Sequence, residues 1–127
     1  MVHTAVASQA EMSRARARVV AALSEFGLDK AHVNAVEIVT GELLTTALDA
    51  GADSVELFVE PYRLLTSVRV RCAHVLDLDE EPFELRERVL QALTIAFGHR
   101  RNLDGSTDFW AEIQRPPERR PQLPEPR

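Results

Sequence analysis

Ser54-Val55-Glu56-Leu57-Phe58-Val59-Glu60, joined by Pro61-Tyr62-Arg63 to the run from Leu64 to Cys72, decides the fold class. In the first run Val55, Leu57 and Val59 point to one side, with Glu56 and Glu60 on the other. In the second, Val68, Val70 and Cys72 alternate with Arg69 and Arg71. A repeat of two residues is the period of a half-buried strand. The connection is too short for a crossover, so the pair is an expected antiparallel hairpin. Opposed Glu and Arg side chains on its exposed face suit cross-strand ion pairing.

Upstream, the pattern changes to a helical one. Ser8 and Glu11 have capping-box spacing before Met12, Ala15, Val19, Leu23 and Phe26, and Gly27 supplies the stop. Arg14, Arg16 and Arg18 mark the wet faces of this helix. Asp29 caps a second helix running to about Ala50 and closed by Gly51, with Val36, Val39, Leu43 and Ala47 on its apolar side. Glu42 and Thr46 share a different face.

Downstream of the hairpin comes an acidic run, Asp77, Asp79, Glu80 and Glu81, ending at Pro82. A third helix is then expected to carry Leu85, Val89, Leu93 and Phe97 up to Gly98. Asn102 to Gly105 read as a turn, after a short strand from His99 to Leu103. Asp108 to Gln114 read as a last strand with Phe109, Ala111 and Ile113 inward. The order predicts an α+β, two-layer sandwich, its helices on one face of a mainly antiparallel sheet.

Residues 1–10 read as an N-terminal extension, 11–114 as the single folded domain and 115–127 as a Pro- and Arg-rich tail, expected to be disordered or extended. At 127 residues the chain has enough length for one modest core. Residues 1–10 lack a basic start and a continuous apolar run, and no stretch reaches the ~20 apolar residues of a membrane span, so a cytoplasmic protein is expected. The lone cysteine, Cys72, fits a reducing compartment and reads as a small buried apolar group.

The formal charge of −5 divides unevenly. From Arg115 onward four Arg outweigh Glu118 and Glu125, a net of +2, which leaves −7 on the body. An acidic body disfavours nucleic acid, whose phosphates demand clustered positive charge. The tail holds five of the seven prolines, which excludes a helix and an internal strand there.

The stretch Glu42-Leu43-Leu44-Thr45-Thr46-Ala47 resembles the Glu-Leu-x-Thr-Asn-Ala magnesium helix of the histidine kinase-like (Bergerat, GHKL) ATPase domain. The likeness is to its anti-sigma factor, serine-protein kinase branch. It extends over about Met12 to Gln114, through the strand from Val68 to Cys72 and the closing Phe109-Trp110-Ala111-Glu112-Ile113. The resemblance implies that fold, with Glu42 as general base toward a serine hydroxyl, Thr46 in the place of the magnesium-binding Asn, and His74 near the place of the adenine-binding Asp. It implies as partners a sigma factor, an anti-anti-sigma protein or a second copy of the chain, with no direct nucleic-acid or membrane contact.

Four departures oppose a working nucleotide site. Thr46 has a shorter reach than the amide it replaces. Arg71-Cys72-Ala73-His74-Val75 offers neither the Asp nor the glycines that follow it in the family, and His74 is an ambivalent substitute. No glycine lies between Cys72 and Phe97, where a lid must bring backbone N–H groups close to phosphates. The acidic run lies where phosphates are expected, and like charges at 4 Å repel by about 1 kcal/mol in water and about 4 kcal/mol at an effective dielectric of 20. Its Asp-x-Asp start does not make a calcium loop, because Pro82 stands where the turn needs Gly. The leading expectation is a pseudokinase-like regulator that binds proteins without cofactor. The alternative is an active ATP- and magnesium-dependent serine kinase with a divergent pocket, using Glu42, Thr46 and His74.

Overall fold

The structure is a computed structural model that describes residues 1–73 and 83–116, with backbone alone for 83–86. In chain order the elements are β1 (Val2–Val6), α1 (Gln9–Glu25), α2 (Lys30–Asp49), β2 (Val55–Pro61), β3 (Leu65–Cys72), α3 (Phe83–Leu93), β4 (Ala96–Arg101) and β5 (Thr107–Gln114). The strands form one five-stranded sheet in the order β1-β2-β3-β5-β4, every neighbouring pair antiparallel.

The caps act as their residue types dictate. Ser8 Oγ accepts from the Glu11 amide at 3.2 Å, and the Glu11 carboxylate accepts from the Ala7 amide. The reciprocal pair thus satisfies two otherwise orphaned donors at the start of α1. Asp29 caps α2 through the Ala31 amide at 2.8 Å. Both helices are followed by glycine at positive φ, 75° at Gly27 and 96° at Gly51, a backbone state open to Gly at little cost.

One face of the sheet and the apolar stripes of the helices make the core. Val55, Leu57 and Val59 of β2, Val68, Val70 and Cys72 of β3, and Phe109, Ala111 and Ile113 of β5 are all buried. They meet Ala15, Val19 and Leu23 of α1 and Val36, Val39, Leu43 and Ala47 of α2 in one cluster. Each Leu or Val taken fully out of water contributes ~1.5–3 kcal/mol relative to exposure. The central helix α2 reaches β2, β3, β5 and both other helices.

Several expectations are corrected here. Residues 1–10, set apart as an extension, supply β1: Val2 pairs with Val59 and Val6 with Val55, and both Val side chains are buried. The third helix ends at Leu93 rather than near Gly98, because the Ile95 amide donates to the Glu112 carbonyl at 2.9 Å and the chain joins β5 as β4. Phe97 therefore lies level with Ala111 on a strand. Phe26 occupies the cap position after α1, off the helical stripe, and is 65% exposed. Arg71 does face Glu56 in register but bonds Asp108 instead, while Glu56 meets His3 at 2.7 Å. Among the described residues no helix is long and apolar enough to cross a membrane. The acidic run and residues 117–127 lie outside the described residues.

Candidate functional site

Glu42 and Thr46 lie on successive turns of α2, where helical spacing brings them to one side. Thr46 Oγ1 donates to the Glu42 carbonyl at 2.8 Å, and the residue is only 8% exposed. Its hydroxyl proton is thus directed at the helix backbone. Glu42 is half-buried. Just before it, Gly41 admits the side chain of Arg16 from α1, since a Cβ there would stand 3.3 Å from Arg16 Cδ. Arg16 Nε is buried with no hydrogen-bond partner among the described residues. The last turn of α2 leads through a short link to Val55, which is level with Cys72 and, across β3, with Thr107. Thr46 therefore belongs to the end of the sheet where β3 exits toward His74. His74 itself lies outside the described residues.

A cavity of about 430 Å³ opens at that end, and neither Glu42 nor Thr46 lines it. Its walls include Asp53, Glu56, Arg71, Asp104 and Ser106. The Ser106 hydroxyl and amide donate to Asp104 Oδ1 at 2.6 and 2.9 Å, which holds that carboxyl below its usual range. Arg71 is committed elsewhere: its Nε and one terminal nitrogen reach the two Asp108 oxygens at 3.0 and 3.4 Å. The carboxylates in this lining outnumber its one guanidinium, so the cavity gives a triphosphate no compensating charge.

Asp108 is the charge that sequence reading missed. Its side chain is fully buried, with Arg100 3.5 Å away as a second cation. Burial alone would raise its carboxyl, but hydrogen bonds from Arg71 and Asn102, with the charges of Arg71 and Arg69, outweigh that and keep it below the ordinary range. Only the β3–β5 register, which sets Arg71 opposite Asp108, discloses the pair. The thiol of Cys72 is pushed up to about 11 by burial and by Asp108, so it is protonated and unreactive, in line with its reading as an apolar filler.

At the other end of the sheet, His32 Nε2 and Thr66 Oγ1 are 2.7 Å apart and buried. Burial and the Arg115 charge depress the ring's pKa against the opposing pull of the Gln114 carbonyl and Asp29. His32 is thus a neutral structural group. Among the described residues there is no cluster of three or more His, Cys, Asp or Glu able to hold a metal ion.

A scan against known protein-family models finds no match to this sequence. A search of characterised proteins finds no match either.

Proposed function

We infer that the chain is a regulatory protein on an anti-sigma kinase-like scaffold, one that acts by binding other proteins and does not turn over ATP. The observation that carries this reading is the state of Thr46. Thr46, which the resemblance sets in the place of the family's magnesium-binding Asn, has its hydroxyl donating to the Glu42 carbonyl. A general base has no task without a positioned phosphoryl donor, so Glu42 is a helix residue in this reading. Support also comes from the absence of glycine between Cys72 and Phe97 in the sequence. The antiparallel sheet with helices against one face is compatible with the GHKL fold, which belongs to the proposal. The partners proposed are a sigma factor, an anti-anti-sigma domain or a second copy of the chain.

Isothermal titration of the full chain with Mg-ATP tests the reading. No saturable heat is expected. Micromolar binding that is lost in both Glu42→Gln and Thr46→Val would overturn it and establish the kinase alternative, with magnesium held near Thr46.

A further inference from the structure

The first turn of α2 carries the buried imidazole of His32 to the place where β3 begins and β5 ends. Its Nε2 lies 2.7 Å from the hydroxyl of Thr66, which is buried as well. Its Nδ1 is buried too and has no hydrogen-bond partner. Thr66 stands level with Ile113, and just beyond it Arg115 clamps the β2–β3 hairpin. The Arg115 amide donates to the Leu64 carbonyl and its guanidinium to the Tyr62 carbonyl, each at 2.9 Å. The charges acting on the ring are Arg115, which opposes its protonation, and Asp29 at the cap of α2, which favours it. β3 faces the ring with the Thr66 hydroxyl and β5 with the Gln114 carbonyl.

A neutral imidazole has one donor and one acceptor nitrogen, whereas a charged one has two N–H donors. The Thr66 hydroxyl can serve Nε2 in either state. In the charged state Nδ1 needs an acceptor that the closed arrangement does not supply, and a buried charged donor left unpaired is costly. The Gln114 carbonyl is the backbone acceptor that favours the protonated ring. It shares one planar peptide unit with the Arg115 N–H, so turning it onto Nδ1 draws that N–H off the Leu64 carbonyl. The imidazolium charge also repels the Arg115 guanidinium from its seat on the Tyr62 carbonyl. Arg115 is only half-buried, so the guanidinium has water to move into.

We propose that His32 is a proton-operated latch on the end of β5: the neutral ring leaves Arg115 clamped to the β2–β3 hairpin, and the charged ring opens that clamp while the rest of the sheet stays closed. Burial and the Arg115 charge hold the ring's pKa below 6.5, so the latch is shut at neutral pH and opens in mild acid. It lies at the opposite end of α2 from Thr46 and is independent of whether that site binds nucleotide.

Amide hydrogen exchange of the full chain, followed by NMR on either side of pH 6.5 and corrected for intrinsic rates, reads the clamp directly. The Arg115 amide is expected to lose protection in acid, by up to about tenfold for each unit separating the ring's pKa in the closed and open forms. The Asn102 amide, bonded to the Ser106 carbonyl at the far end of the sheet, is expected to keep its protection. His32→Gln, which can still bond Thr66, is expected to abolish the loss at Arg115. In Arg115→Gln the His32 ring resonance is expected to titrate at a higher pH. Constant Arg115 protection while the ring titrates, or a loss that persists in His32→Gln, would overturn the proposal. So would an equal loss at Asn102, which marks opening of the whole fold, or an unmoved titration in Arg115→Gln.

Discussion

The two faces of this sheet are built from the same strands by different physics. The helix-covered face is held by close packing of Val, Leu and Phe, with Phe109 at 1% exposure and Leu57 at none. The open face is held by rings and charges lying flat: His3 on Phe58, Arg69 over the same ring, Arg71 locked to Asp108. Stability comes mainly from the first. The second ties the outer side chains of neighbouring strands to one another. A strand that alternates apolar and polar residues does both at once, and sequence shows the alternation without showing what the polar side is for.

The sharpest way to break this comparison is to remove one phenylalanine from each face. Phe109→Ala is expected to cost ~3–5 kcal/mol, from lost transfer energy and the cavity left behind. Phe58→Ala is expected to cost only about 1–2 kcal/mol, because its ring is half-exposed and its stacking partners contribute about 1 kcal/mol. Urea unfolding measures both, and equal losses would erase the distinction. Asp108→Ala is the expected exception on the open face. It strands the Arg71 and Arg100 charges, and a cost of about 2–3 kcal/mol follows from losing charged hydrogen bonds that are partly solvent-screened. Because the Asp108 carboxyl is held below 3.8, that stabilisation is present above this value and is lost as pH falls through the lower folded value.

Most of the inner face was legible in the sequence, and most of the outer face was not. The α1 and α2 stripes and the inward residues of β2, β3 and β5 follow directly from their periods of 3.6 and 2. Phe97 was misread because four residues from Leu93 satisfies a helix, while pairing with Ala111 sets it on a strand, partly buried against the core. In β1, Val-His-Thr-Ala-Val is too short to assert an alternation until Val55 and Val59 pair with it. The outer row of His3, Phe58, Arg69 and Trp110 is invisible without the register of four strands. At the candidate site the Glu42–Thr46 spacing was legible, but the hydroxyl's use within the helix was not.

A smaller effect sharpens the contrast at the buried His32. Its pKa is lowered from 6.5 in the folded chain, so below 6.5 the unfolded state takes up the proton first. Stability is expected to be full above 6.5 and to fall as pH drops toward the depressed value. His32→Gln, which can still bond Thr66, is expected to flatten that decline in urea midpoints measured on either side of 6.5. The smallest effect belongs to Ser8→Ala, where loss of the cap on α1 is expected to cost ~1 kcal/mol, with Trp110 emission unchanged.

The central claim concerns α2, which contacts both neighbouring helices and three strands and whose Thr46 hydroxyl donates to the Glu42 carbonyl. Urea unfolding of the full chain with and without Mg-ATP tests it most directly. A ligand at a hundredfold excess over its dissociation constant stabilises the folded state by about 2.7 kcal/mol. The account predicts superimposable curves at millimolar Mg-ATP; a stabilisation of that size, abolished by Thr46→Val, would contradict it.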